Sequence, residues 1–183
     1  MTTSSIPLAI VGCGGMGHRH MYGLAELQSS GLSPFELVAV CDPNLDNANS
    51  LADQSKERLG KRPRPVSTLS ELHKIFEIQA VDICTLPAHH HSVAVEAMEL
   101  GWHILCEKPA GLTSRACKLM KETSEKTGRI LSVAENYRRD PINRLAKALL
   151  EEGIIGTPRL MMHNVIGGSD RMLISVWRHQ KNA

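Results

Sequence analysis

A short apolar run, Leu8–Val11, breaks off at a cluster of glycines, Gly12-x-Gly14-x-x-Gly17, and a helical pattern begins inside the cluster at Met16. Few arrangements tolerate that order. An apolar run bounded by glycine reads as a buried strand. A glycine loop leading from a strand into a helix leaves the first N–H groups of the helix without partners. Those amides, at the positive end of the helix dipole, make a seat for an anion. Gly12 permits the tight turn, Gly14 lets the backbone approach a diphosphate, and Gly17 lets helix and strand pack closely. Gly15 and Met16 complete the loop at the mouth of the helix. The pattern alone occurs in many loops; its place between a strand and a helix gives it weight.

The alternation continues along the chain. The helix begun at Met16 runs to about Ser30, and Phe35–Cys41 reads as a second strand. Asn44 to Leu59 is helical and closes at Gly60, a residue suited to a helix end. Val66 marks a short third strand, and Thr68-x-x-Glu71 is a capping-box signature opening a helix around Leu69–Phe76. Val81–Leu86 is a fourth strand, His89 to Leu100 a helix closed by Gly101, and His103–Cys106 a fifth strand. Thr113 to about Thr127 and Ile130–Ala134 add a helix and a strand. Asn143–Glu152 is an amphipathic helix, and Arg159–Val165 a last extended run. Such spacing forms βαβ units and a parallel sheet. Right-handed crossovers then lay helices over both faces. The expected class is α/β, a doubly wound parallel sheet. One boundary shows, at Asn136–Pro141 ("NYRRDP"), where charge clusters and a proline interrupts the pattern.

With 183 residues, 42% hydrophobic and 22% charged, the chain has the make-up of a globular protein with a full core. A net charge of +2 is too near neutral for a nucleic-acid groove. Lys56, Arg58, Lys61, Arg62 and Arg64 gather where a helix ends, a place that favours cations. Cys13, Cys41, Cys84, Cys106 and Cys117 form no C-x-x-C pair, and four lie in or just after apolar runs. They read as free thiols of a reducing compartment. The first five residues contain no basic stretch and no apolar segment of a signal peptide, and nothing approaches bilayer-spanning length. A cytoplasmic protein is expected, with neither membrane nor nucleic acid as partner.

The second strand ends in Asp42, twenty-five residues beyond Gly17. An acid there accepts hydrogen bonds from an adenosine ribose and repels a 2′-phosphate. No Arg or Lys follows before Lys56, which favours NAD over NADP. Asp-Pro-Asn is also good turn chemistry, a role compatible with the first. A methyltransferase is the rival for a glycine loop followed by an acid. Those enzymes usually carry an acidic residue just before the first glycine, where this chain has Ala9-Ile10-Val11.

His89-His90-His91 raises the question of a metal. Consecutive helical residues point about 100° apart, and the places one turn on hold Val93, Ala94 and Val95. No metal is expected. His89 and His90 read as surface residues at a helix start, and His103 as packing at a strand start.

The fifth strand ends in Glu107-Lys108-Pro109, two opposite charges and a chain-breaker. A solvated turn is one reading; a site that needs a positioned ammonium is the other. Together, "VGCGGMG", "TLPAHHHSVAVEAMELGWHILCEKPAG" and "NYRRDP" resemble the Gfo/Idh/MocA family, the glucose–fructose oxidoreductase and inositol dehydrogenase group, over essentially the whole chain. The E-K-P segment is the most distinctive mark. The resemblance implies an NAD(P)-dependent oxidoreductase of sugars, cyclitols or related polyols. It implies a Rossmann domain over residues 1–136. Residues 137–183 are then a connecting helix and the truncated start of a second α+β domain, the substrate domain.

In open α/β sheets ligands bind beyond the carboxyl ends of strands, near the switch in strand order. Strands one, four and five would bring Gly12–Gly17, Leu86-Pro87 and Glu107-Lys108 to one edge. Lys108 is the expected catalytic residue, beside the nicotinamide end, bonding a substrate hydroxyl and sharing in moving its proton. Glu107 is expected to contact the nicotinamide ribose or to hold the lysine. The family pattern makes His91 a cofactor neighbour. It sets Asn136, Tyr137 and Arg138 at the border of the substrate pocket, with a polar interdomain joint as the other reading. Trp177-Arg178 matches a further family pair.

In that family the lysine works with an Asp and a His of a D-x-x-x-H segment, which this sequence does not contain before Ala183. The expectation is a fragment that turns over poorly alone. From about residue 157 it would be irregular, disordered or joined to a partner, since a lone strand is marginal. Two alternatives stay open: a non-catalytic NAD-binding sensor, and one half of a split enzyme. A second copy or a complementing chain is the expected protein partner.

Overall fold

A computed structural model describes residues 5–75 and 77–164. The chain divides into two compact units, Met1–Ala134 and Glu135–Ala183. In the first, strands β1 (Ile6–Val11), β2 (Phe35–Cys41), β3 (Arg64–Val66), β4 (Ala80–Ile83), β5 (His103–Cys106) and β6 (Leu131–Val133) form one sheet in the order β3-β2-β1-β4-β5-β6. Every pairing is parallel. The order reverses between β1 and β4, so the loops leaving those strands diverge and open a crevice between them.

Strand alternation divides the apolar residues between two layers. Ala9 and Val11 of β1 face one way, with Ala39, Val81, Ile83 and Ile104. They are covered by Leu69 and Leu72 of α3 (Leu69–Ile75), Ala94, Ala97 and Met98 of α4 (His90–Glu99), and Met120 of α5 (Ser114–Thr127). Ile10 and Val40 face the other way, against Met21 of α1 (Gly15–Ser29) and Ala48, Leu51 and Ala52 of α2 (Leu45–Leu59). Burying each Leu, Met or Ile of this kind contributes about 1.5–3 kcal/mol. The doubly wound α/β sheet read from the sequence is the architecture observed.

The ends of the elements have local causes. Asn44 caps α2, its side chain accepting from the Asp46 amide at 2.9 Å, and Thr113 caps α5 in the same manner through Ala116. Gly60 and Gly128 close those helices in the left-handed region, with φ of 78° and 66°. At α3 the Thr68 hydroxyl accepts from the Glu71 amide, while the Glu71 carboxylate reaches back to Ser67 rather than to Thr68.

Some boundaries differ from the sequence reading. β4 stops at Ile83, before Leu86, because Leu86 is extended ahead of Pro87, which opens a 3-10 turn, Pro87–His89. α4 consequently begins at His90. In the second unit α6 (Pro141–Glu151) starts earlier than Asn143, because Asp140 accepts from the Ile142 amide at 2.9 Å and Pro141 fits the first helical turn. Residues 159–164 form no strand, and Val165 and Trp177-Arg178 lie outside the described residues. No helix among the described residues is long and apolar enough to cross a membrane.

Candidate functional site

Strands β1, β4 and β5 each hand the exiting chain to a neighbour. The Gly12 amide donates to Cys41 O at 2.8 Å, Cys84 to Val11 O at 2.7 Å, and Glu107 to Ile83 O at 2.9 Å. Because the sheet is parallel, the loops after β1, β2, β4 and β5 all emerge on one rim.

At the first loop the glycines divide by cause. Gly12 has φ +96°, and a Cβ there would lie 2.6 Å from Cys84 C and Thr85 N. A Cβ on Gly17 would lie 2.3 Å from Gly12 O. The protein's own packing demands both. Gly14 and Gly15 have nothing within 4 Å of a Cβ, and Gly14 has φ −78°, open to any residue. Their small size leaves room for something outside the chain. Beneath that space, α1 starts with no side-chain cap. An anionic group such as a diphosphate fits the open cradle and the uncapped amides.

Asp42 braces the loop. Its Oδ2 accepts from the Cys13 amide at 2.8 Å and its Oδ1 from the Asn44 amide at 2.9 Å. Each oxygen keeps a lone pair for a further hydroxyl donor. Cys13 itself is buried, and burial pushes its thiol far above the ordinary range. Burial likewise raises Cys41 and Cys106 to about 12. These thiols are packing groups, not nucleophiles.

Leu86 and Pro87 are half-buried in the turn after β4. Of the three histidines that follow, His89 is exposed and His91 half-buried. His91 lines a hollow of about 620 Å³ between α4 and α5, with Ala88, Leu112, Thr113 and Arg115 on its wall. His90 corrects the reading of it as a surface residue. It is 1% exposed, with Nδ1 2.7 Å from Pro109 O and Nε2 3.0 Å from Thr85 O. Both partners are carbonyl acceptors, so the ring ties the loop after β4 to the loop after β5. The cause is its place on α4: His90, Ala94, Ala97 and Met98 are the buried stripe of that helix. His103 accepts from the Ile130 amide at 3.0 Å, as a residue packed at a strand start.

Lys108 is the second residue beyond β5 and is exposed, with no ion pair among the described residues. Glu107 is the opposite. Its carboxylate is buried, Oε1 lying 3.2 Å from His20 Nε2 and Oε2 accepting from the Lys108 amide at 3.0 Å. His20 Nδ1 in turn lies 2.7 Å from Oδ2 of Asp82, itself buried in β4. The hydrogen bond to Asp82 is the main cause raising the His20 pKa above its ordinary value, against the opposing effect of burial. His20, Asp82 and Cys84 present ligand-type atoms within 4.8 Å of one another. Burial pushes the Cys84 thiol strongly up, against the thiolate a metal requires. A hydrogen-bonded cluster accounts for the trio.

The sequence reading missed His20, Asp82 and the buried place of His90. Asp82 carried a signal, since a carboxylate inside an apolar strand requires a partner. Asn136 opens a 3-10 turn, Asn136–Arg138, in the second unit.

Residues 6–135 match the model of a family described as oxidoreductases with an NAD-binding Rossmann fold. The chain is 31% identical over 160 residues to the levoglucosan dehydrogenase of Pseudarthrobacter phenanthrenivorans, covering 83% of this chain and 38% of that one. It is similar to the myo-inositol 2-dehydrogenase structure from Lactobacillus plantarum, with a TM-score of 0.71 and 25% identity over 84% of this chain and 43% of that one. It is also similar to the WlbA dehydrogenase of Bordetella pertussis in complex with NADH and UDP-GlcNAcA, with a TM-score of 0.69 and 26% identity over 81% and 42%. The chain thus spans less than half the length of each of these relatives.

Proposed function

Because the chain belongs to the oxidoreductase family with an NAD-binding Rossmann fold, we propose that it is the cofactor-binding part of a dehydrogenase acting on sugars, cyclitols or related polyols. NAD⁺, when bound, supplies the hydride acceptor. The chain's own residues hold and orient. The amides at the start of α1 receive the diphosphate over the open side of Gly14 and Gly15. Asp42 offers its remaining lone pairs to the adenosine ribose, and its charge disfavours a 2′-phosphate, so NAD is preferred to NADP. Lys108 Nζ hydrogen-bonds the substrate hydroxyl and shares in moving its proton as hydride leaves the carbon. Leu86, Pro87 and His91 border the nicotinamide half.

One observation carries the reading. The glycine loop, Asp42 and Glu107-Lys108 all end their strands on one rim, on both sides of the β1–β4 reversal, with open space at Gly14. The named relatives include dehydrogenases of levoglucosan and myo-inositol, which supports the proposed substrate class. The family's D-x-x-x-H pair is absent from the 183 residues, so this chain alone is expected to turn over little.

Two measurements test the proposal. Titration with NADH and with NADPH should give tighter binding of NADH, and Asp42→Ser should narrow the ratio. Equal affinity for both in the unaltered chain contradicts the role given to Asp42. In a panel of sugars and cyclitols with NAD⁺, robust turnover that survives Lys108→Ala contradicts the role given to the lysine.

A further inference from the structure

We propose that His20 is a positioning residue for Lys108: bonded to Asp82 on one side, it holds Glu107 turned inward, and Glu107 fixes the Lys108 amide. The inference rests on the reading of Lys108 as the residue that meets the substrate hydroxyl. Its geometry is a chain of three contacts. Asp82 Oδ2 lies 2.7 Å from His20 Nδ1, His20 Nε2 lies 3.2 Å from Glu107 Oε1, and Glu107 Oε2 accepts from Lys108 N at 3.0 Å.

Simple neutralisation of Asp82 would use one ring nitrogen and leave the other free. Here both face carboxylate oxygens, which accept and do not donate when ionised. A ring that satisfies both is doubly protonated, and a single imidazolium then stands between two buried carboxylates. Without it, Asp82 and Glu107 would be buried acids with no counter-charge, an expensive arrangement that a carboxylate escapes by turning out to water or taking a proton. Either escape releases the Lys108 amide. The other titratable group facing this cluster is Cys84, whose Sγ lies 3.7 Å from Asp82 Oδ1. Cys106 directs its Sγ to the Glu107 carbonyl at 3.4 Å. From α2, Gln54 bonds His18 and Tyr22 instead of His20.

The placement has a consequence for the site as a whole. His20 is on α1, three residues beyond Gly17. The helix that offers its amides to the diphosphate therefore also carries the clamp on the lysine loop. One rigid element sets the spacing between the anion seat and the lysine.

The test uses the chain labelled with ¹⁵N. The His20 ring nitrogens should keep the doubly protonated pattern to higher pH than those of an ordinary histidine. The Lys108 amide should be protected from hydrogen exchange. In His20→Gln that protection should fall by about tenfold or more, while amides of β1 and β2 keep theirs. Glu107→Gln retains a carbonyl oxygen for the Lys108 amide and should restore most of the protection that Glu107→Ala removes. Should His20→Gln not fold, the unaltered chain serves. Its Lys108 exchange, corrected for the intrinsic effect of pH, should rise in step with loss of the His20 proton. A His20 ring that loses its second proton as readily as an ordinary histidine, or a Lys108 amide indifferent to His20, overturns the inference. NADH titration of the same samples separates the two claims. NADH bound with the clamp signals absent defeats the clamp alone; clamp signals present with no NADH bound defeat the dehydrogenase reading alone.

Discussion

The turns after β1 and after β5 both end a buried parallel strand on the same rim, yet they are built from opposite materials. The first is backbone: glycines, amides and an uncapped helix start, with Asp42 bracing from the next strand. The second is charge: an exposed lysine on a buried carboxylate that leans on a histidine and a second carboxylate. A diphosphate needs only shape and N–H groups, which cost no side-chain entropy to hold. An amine meant to move a proton must be held by its backbone while its side chain stays free. The difference teaches that a rigid seat for a ligand and a rigid base for a reactive group call for different physics.

The sharpest way to break the comparison is at Gly17. Gly17→Ala puts a methyl 2.3 Å from Gly12 O, a backbone atom that cannot swing away. Denaturant unfolding should show a loss of about 3 kcal/mol. An unchanged midpoint would mean the turn is looser than described.

At the second turn, Asp82→Ala should cost about 2 kcal/mol, because it leaves His20 and Glu107 without their third member. If the variant is as stable as the parent, the charge cluster contributes nothing to the fold.

A gentler probe of the same turn is pH. The His20 pKa is raised above its ordinary 6.5 on folding. Its contribution is therefore fully present below 6.5 and is lost as pH rises through the raised value. The chain should lose stability on that climb relative to His20→Gln, which has no such group. Parallel curves for the two proteins across that window would contradict the assignment.

The smallest effect belongs to the thiols. Cys117 is exposed while Cys13, Cys41, Cys84 and Cys106 are buried. A thiol reagent should modify Cys117 first, and Cys117→Ser should shift stability by no more than about 0.5 kcal/mol. Early labelling of Cys13 would show that the glycine loop opens readily.

The same contrast explains what the sequence disclosed. The glycine loop was legible because its cause is local: Gly12 and Gly17 are five places apart and answer to one turn. Asp42 and Lys108 were legible as strand ends. The clamp was not, because His20 meets Asp82 and Glu107 across 62 and 87 residues. No window of sequence holds such a contact; only the unpaired acid within "VDIC" hinted at one. His90 had a visible signature in its spacing from Ala94, Ala97 and Met98, obscured by the two histidines flanking it. At Asp140-Pro141 the proline read as an interruption, although Asp followed by Pro is equally the start of a helix.

The central claim is that the open space over Gly14 is a ligand's space, and one titration tests it. Gly14→Ala meets no protein atom and keeps an allowed backbone, so its unfolding curve should match the parent's. Its NADH affinity should fall by about tenfold, ~1.4 kcal/mol. If NADH binds Gly14→Ala as tightly as it binds the parent, the diphosphate does not lie over the first turn, and the account of the site is wrong.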